Sequence, residues 1–241
     1  KKKNVPFEFP QRNITFETGY DVMSPADKFL IHNKDNVFMS LRTQKVEQMY
    51  FYNRQKLSFD YETDWGFSIN TSVKAESNRP TGDLVFKKMP GAITNPTADG
   101  NEYVNRIRTT EFKIGLRYCP GQTFINTKQQ RWPVNLDAPE FTVSHTVGLN
   151  NVLGGQYKLN FTEAGIYKRF WMNSWGDLNV DLRGGIQWNK VPFSLLIMPA
   201  ANLSYLAQYG TFNLINNMEF LNDRYASIDV WWNMNGKILN R

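Results

Sequence analysis

Long segments of the chain alternate apolar and polar residues with a period of two, and this feature constrains the fold most. In one segment the apolar set is Leu178, Val180, Leu182, Gly184, Ile186 and Trp188. In a second it is Ala226, Ile228, Val230, Trp232 and Met234. Successive side chains on a strand point to opposite faces, so each segment has one apolar and one polar face. Such strands, with charge in mid-strand on the polar face, are typical of an outer-membrane barrel, where lipid contacts one face and a polar lumen the other.

Similar patterning elsewhere predicts an all-β fold, namely a transmembrane antiparallel β-barrel. The predicted strands are 13–20, 36–43, 47–61, 65–75, 82–87, 106–118, 140–149, 156–171, 176–189, 200–208, 212–221 and 224–235. Two long polar connections, 88–105 and 120–139, carry Pro, Gly and Asn. Barrels place short turns and long loops at opposite ends. This strand list does not separate them, so a boundary is wrong or an element is missed near 190–211.

Composition is compatible with that fold. The chain has 241 residues, enough for one large β domain or barrel or for two small domains. No run approaches the roughly 20 apolar residues of a membrane-spanning helix. Aromatic residues make up 15% of the chain, and Trp65, Trp171, Trp175 and Trp188 at predicted strand ends favour an interfacial girdle. The alternative is the general use of aromatics in β domains.

The charge pattern does not by itself identify what the basic residues contact. Net charge is +6, but the basic residues are dispersed, which favours contact with anionic lipid heads, or an ordinary solvated surface, over nucleic acid. The sequence carries no nucleophile–base pair, metal-ligand spacing or cofactor loop, since Ser144 and His145 are neighbours in a strand and point opposite ways. We therefore expect a non-enzymatic protein without cofactor or metal.

Charged residues on the polar phase are the candidate lumen-facing residues. They are Lys158, Asp181, Arg183, Glu219 and Asp229, with Lys158 in a strand of less certain phase. Either they form a structural ion-pair network, or they contact a substrate or set selectivity. Trp132, between Arg131 and Pro133, is the candidate loop anchor for a partner, because Trp and Arg dominate binding hot spots. The alternative is that Trp132 packs its own loop.

Most of the chain resembles a family of large outer-membrane barrels of unknown function, common in Bacteroidota. The motifs that carry the resemblance are GLRYCPG at 115–121, YKRFW at 167–171, LRGG at 182–185, VPFSLL at 191–196, FNL at 212–214 and EFLNDRYAS at 219–227. Weaker similarity covers FYNRQ at 51–55 and NRPTG at 78–82. Family members usually carry an N-terminal carboxypeptidase-regulatory-like domain. The resemblance implies that residues 1–241 are an internal or late portion of a larger barrel, with that domain and the final strands absent.

Together these observations predict a non-enzymatic outer-membrane barrel that acts in translocation, assembly or transport, similar in general architecture to BamA-like barrels. The alternatives are a structural or adhesive surface barrel that binds a partner through long loops, and a soluble secreted β protein. The expected partners are outer-membrane lipid and lipopolysaccharide, with other envelope proteins as further candidates and no nucleic acid.

Overall fold

The computed structural model describes residues 10, 12–25, 48–87, 103–126, 131–202 and 210–236. The strands of its main sheet are β1 Arg12–Met23, β2 Gln48–Glu62, β3 Phe67–Gly82, β6 Ile107–Tyr118, β9 Glu140–Gly148, β10 Asn160–Trp171, β11 Asp177–Gln187 and β12 Arg224–Asn233. Two hairpins lie outside it, formed by β4 Phe86–Lys87 with β5 Tyr103–Val104, and by β7 Phe124–Asn126 with β8 Arg131–Pro133.

The main sheet is an eight-stranded antiparallel meander in the order β1-β2-β3-β6-β9-β10-β11-β12. Each strand pairs with its neighbours over most of its length, with Leu182 opposite both Ile166 of β10 and Ile228 of β12. The prediction of an all-β antiparallel fold is confirmed. Among the described residues, β1 and β12 are the two edges of an open sheet, so barrel closure stays a prediction.

Several predicted strands differ from the structure. The prediction of a strand over 212–221 is wrong, because this segment consists of turns in which Met218 has a φ of +60°. Only isolated bridges occur nearby, at Ile197–Asn222 and Ala201–Phe212. The predicted strand 82–87 shrinks to β4, the predicted strand 36–43 lies outside the described residues, and most of 200–208 does as well.

With these corrections the connections sort by length. In an antiparallel meander, successive connections along the chain lie at opposite ends of the sheet. At one end, the long-loop end, the connections are 24–47, 83–106, 149–159 and 188–223. At the other, the short-turn end, β2–β3 and β10–β11 are joined by the tight turns 63–66 and 172–176. The exception at the short-turn end is 119–139, which contains the β7–β8 hairpin.

The buried apolar cluster of the described residues lies at the long-loop end. It consists of Tyr50, Leu84, Phe86, Ile107 and Tyr157. Phe193 and Leu195, which form a 3-10 turn in the β11–β12 connection, pack against it. Distant parts of the chain meet here, since Asn217 donates a 2.8 Å hydrogen bond from Nδ2 to Ser24 Oγ. The described parts of the β11–β12 connection, 188–202 and 210–223, are therefore folded onto the sheet.

The described residues contain no α-helix, and none of their helical turns has the length or apolar character needed to cross a membrane.

The β10–β11 turn depends on Gly176, which offers a stability prediction. Gly176 has a φ of +85°, and a Cβ there would lie 1.7 Å from the Asn233 carbonyl oxygen. Gly121 has a φ of +74° but nothing within 4 Å of a Cβ. We expect Gly176→Ala to lower the free energy of unfolding by about 2–3 kcal/mol and Gly121→Ala by only about 1 kcal/mol. Denaturant titration of both variants checks this, and equal losses would show that the contact with β12 is unimportant.

Candidate functional site

The main sheet shields its polar side chains and exposes its apolar ones. We call the face that carries Asp181 and Arg183 the polar face, and the face that carries Leu182 the apolar face. Buried residues of the polar face are Ser58, Ser72, Glu76, Asn78, Thr109, Thr146, Asp177, Asn179, Asp181 and Gln187. Exposed residues of the apolar face include Ile14, Phe16, Leu57, Phe59, Phe112, Ile114, Leu116, Phe141, Val143, Ile166, Leu182, Ile186, Ile228 and Val230. The usual arrangement of a water-soluble domain is thus reversed.

The polar face is partly covered by the folded β11–β12 connection. Ser194, Leu195 and Ile197 of that connection line a cavity together with polar-face residues. Those residues are Lys74 of β3, Glu111 of β6 and Thr146 of β9. A second, more open concavity of about 380 Å³ lies across β3 to β11. It reaches from Ser68 past Lys113 and Ser144 to Arg183, and it is the space in which a polar solute could contact this face.

An ion-pair cluster on β2, β3 and β6 is centred on Glu76. The Glu76 side chain is 0% exposed and accepts a hydrogen bond from Arg54 Nε at 2.7 Å. Lys74 Nζ lies 3.7 Å from Glu76 Oε2 and 2.8 Å from Glu111 Oε2. Asn78 Nδ2 donates to the other Glu76 oxygen at 2.9 Å. These contacts satisfy the buried carboxylate and join three strands.

Further polar contacts extend this network across the sheet. Arg117 of β6 bonds Glu140 of β9 at 2.6 Å. Tyr225 of β12 donates its hydroxyl hydrogen to Glu163 of β10 at 2.5 Å. Asp177 accepts hydrogen bonds from Asn179 and Asn233 at 2.6 and 3.1 Å. Polar-face side chains from β2 to β12 are therefore bonded to one another rather than left isolated.

Three of the predicted lumen-facing residues lie together on the polar face. Asp181 and Asp229 are direct cross-strand partners, and Arg183 is two residues along β11 from Asp181. Two carboxylates in this position repel each other. Arg183 offsets the repulsion because both its Nε and Nη2 donate to Asp181, at 3.0 and 2.7 Å. The Asp181 side chain is consequently a paired group.

The other two predicted residues do not lie on strands. Lys158 is exposed and precedes β10, where its carbonyl oxygen accepts a hydrogen bond from Asn189. Glu219 is exposed in a turn, and its Oε2 accepts the Asn216 backbone N–H at 2.7 Å. The strand positions assigned to both residues were wrong. Lys158 was placed in a strand that begins only at Asn160, and Glu219 in a segment that forms turns.

Sequence reasoning missed the Glu76 cluster because it ended the predicted strand 65–75 before this residue. The strand continues to Gly82, with Pro80 opposite Tyr50 of β2. A usable signal was present, since Lys74, Glu76 and Asn78 continue the polar phase of the residues before them. A proline near the end of a strand does not prevent its preceding residues from pairing.

Trp132 lies in β8 at the short-turn end. It is 58% exposed and faces Ile125 of β7, which is similarly exposed. At the base of the hairpin, the Val134 N–H donates a 2.9 Å hydrogen bond to the Thr123 carbonyl oxygen. The predicted anchor residue is thus accessible, and its role as an anchor stays a prediction.

Cys119 and His145 occupy structural positions. Cys119 is buried beside the β2–β3 turn, where its N–H donates to the Gly66 carbonyl at 2.8 Å. Burial raises the pKa of this thiol, against the opposing effect of Arg117, and keeps it protonated at neutral pH. His145 Nδ1 lies 2.8 Å from Thr162 Oγ1 on the apolar face, and Ser144 lines the open concavity. In the described part of the chain no three His, Cys, Asp or Glu side chains group as metal ligands.

Aromatic side chains border the apolar face at the short-turn end. Trp65 stacks on Phe67 with ring centroids 5.1 Å apart, and Tyr118 stacks on Phe141 at 6.5 Å. Further along the same end, the Trp232 ring packs on the Trp175 ring, and Trp232 Nε1 donates a 2.8 Å hydrogen bond to the Trp175 carbonyl oxygen. At the long-loop end, Trp188 donates from Nε1 to Thr162 Oγ1. Indole and phenol groups therefore edge the exposed apolar surface.

Comparison with known proteins identifies a family. A family model described as family of unknown function (DUF5686) C-terminal domain matches residues 5–241. No curated protein and no solved structure matches the chain.

Proposed function

The chain belongs to the family of unknown function (DUF5686) C-terminal domain, and we propose that it forms part of the wall of an outer-membrane β-barrel. In this proposal the barrel is non-enzymatic and serves translocation, assembly or transport in the bacterial envelope. Lipid contacts the apolar face, and the polar face lines the lumen.

The observation that carries the proposal is the reversed distribution of polar and apolar side chains. Leu182 is 42% exposed in mid-strand, whereas its neighbour Asp181 is 5% exposed. Apolar residues continue from Ile14 on β1 to Trp232 on β12. Soluble monomers rarely expose a contiguous apolar surface beyond a few hundred Å². A surface that spans eight strands needs an apolar environment, and lipid supplies one along the whole face.

The dimensions and borders of the apolar face support the same proposal. On β11 the outward set runs from Leu178 to Ile186, about 26 Å along the strand at roughly 3.3 Å per residue, which is about 20 Å of height at the roughly 40° tilt of barrel strands. Outer-membrane barrels have an apolar band about 25 Å tall with aromatic girdles. The pairs Trp65–Phe67 and Trp175–Trp232 lie where a girdle would lie.

The hydrogen-bonding requirement of lipid adds a condition on closure. Unpaired backbone groups at an open sheet edge cannot be satisfied in hydrocarbon. The two edge strands of the sheet are β1 and β12. In the membrane each edge must therefore pair, either with the other or with further strands.

A second candidate function is partner binding through the connections. It is favoured by the β7–β8 hairpin, which exposes Trp132 and Ile125. Because long loops of such barrels lie outside the cell and short turns in the periplasm, this hairpin would face a periplasmic partner. Ion conductance across a bilayer separates a transport barrel, which conducts, from a plugged barrel that only binds a partner and does not conduct.

Vesicle flotation tests membrane insertion. We expect the protein, purified in detergent and reconstituted into dioleoylphosphatidylcholine vesicles, to float with them and to stay bound in 1 M salt and at alkaline pH, where electrostatically held proteins are released. Without vesicles, removal of detergent should precipitate it. A monodisperse protein in detergent-free buffer that stays behind during flotation would overturn the proposal.

A further inference from the structure

A cleft on the outward side of the sheet gathers three arginines at the long-loop end. Arg79 of β3, Arg106 of the connection before β6 and Arg108 of β6 line it together with Asn53 and Gln55 of β2, and we call these residues the arginine cleft. Its volume is about 330 Å³. Tyr20 and Phe51, which stack with ring centroids 6.0 Å apart, complete its wall.

Strand register places the strand residues of the cleft on the apolar face rather than on the polar face. Arg79 is the cross-strand partner of Phe51, Arg108 of Ser77, and Asn53 of Tyr20. Arg108 shares the phase of Phe112, Ile114 and Leu116, which are exposed apolar residues. It lies four residues before Phe112, about 13 Å along the strand. The arginine cleft therefore lies at the border of the apolar face nearest the long-loop end.

The cleft has no counter-charge of its own within the described residues. None of its arginines forms an ion pair with a carboxylate there. Glu76 lines the cleft, but its carboxylate is bonded to Arg54 and Asn78 on the polar face. Three guanidinium groups beside an apolar surface thus share one concave space.

We propose that the arginine cleft binds the phosphate of a membrane-lipid headgroup in the leaflet at the long-loop end. The inference rests on the proposed function, because it requires lipid against the apolar face. Guanidinium groups bind phosphate through paired hydrogen bonds, and Asn53 and Gln55 add amide donors. The acyl chains of the same lipid run down over Val73 and Phe112, and Tyr20 lies at the depth where tyrosine is favoured.

Lipid retention by the detergent-solubilised protein tests this. Native mass spectrometry is performed with dioleoylphosphatidic acid, with dioleoylglycerol, which has the same chains and no phosphate, and with inorganic phosphate. We expect phosphatidic acid alone to be retained. The variant Arg79→Ala/Arg108→Ala should retain it about tenfold less. The control Lys190→Ala/Arg224→Ala removes the same charge from exposed positions at the same end and should leave retention unchanged.

Three outcomes would overturn the inference. Equal retention of dioleoylglycerol would mean that the acyl chains alone are recognised. Retention of inorganic phosphate that Arg79→Ala/Arg108→Ala abolishes would assign the cleft to a free anion. Unchanged retention by that variant would place the lipid elsewhere. Flotation of both variants separates these failures from failure of the proposed function, because a protein that floats but does not select phosphate refutes only the inference.

Discussion

Leu182→Arg is expected to lower the stability of the membrane-inserted protein by about 2–4 kcal/mol, the cost of a basic residue on the lipid face at mid-bilayer. Leu182 is at the centre of β11 and lies between Ile166 and Ile228, both exposed on the apolar face. A guanidinium at this point meets apolar cross-strand partners, and the charged residue diagonal to it on the same face, Lys168 opposite Val180, is itself a cation. The measurement is denaturant unfolding of the protein in phosphatidylcholine vesicles.

The matched control introduces the same residue on the opposite face. Ser144 of β9 is the cross-strand partner of Glu163 and lines the open concavity. Ser144→Arg should therefore cost less than Leu182→Arg, since water and the Glu163 carboxylate solvate the new charge even though the cations Lys113, Arg117 and Arg183 share the concavity. If both variants lose the same stability, arginine is disfavoured for reasons of size. If Ser144→Arg alone is harmful, the assignment of the two faces is inverted.

The part of this fold that can be predicted from sequence is local. The alternation around Leu182 and Val230 predicts strands and assigns their faces, because side-chain direction depends only on position along one strand. The same logic brings Asp181, Arg183 and Asp229 to one face. It does not reveal that Asp181 and Asp229 are direct partners, because register is fixed between strands.

What the sequence could not predict depends on contacts between distant residues. The segment 212–221 has a strand-like composition, but it is held in turns by the fold of the 188–223 connection onto the sheet. The Glu76 cluster requires three strands in register, since Lys74 and Glu111 are far apart in the chain and 2.8 Å apart in space. The arginine cleft arises in the same way, because strand pairing brings Asn53 and Gln55 of the FYNRQ motif and Arg79 of the NRPTG motif beside Arg108, which lies in neither.

Glu76→Gln is expected to reduce the free energy of unfolding by about 3–5 kcal/mol, the cost of removing one partner from a buried ion pair. The substitution keeps the shape of the side chain and its hydrogen bond to Asn78 but leaves Arg54 and Lys74 facing each other. Among the described residues, Glu111 is the carboxylate that then remains paired with Lys74. The control Asp223→Asn removes a carboxylate from the exposed pair with Arg224 and should cause no measurable change, because solvent and salt screen such pairs.

The double variant Arg54→Gln/Glu76→Gln makes the test specific. Removal of both charges should recover much of the loss, because the cost of the single change comes from the half-buried Arg54 cation that is left without its partner. A midpoint for Glu76→Gln equal to that of Asp223→Asn would mean that water already solvates this part of the polar face. Since Ser194 and Leu195 line the cavity beside Lys74 and Glu111, that result would also mean that the 188–223 connection does not keep water out. The stability of one carboxylate therefore reports whether the polar face is a dry, plugged interior or an open aqueous channel.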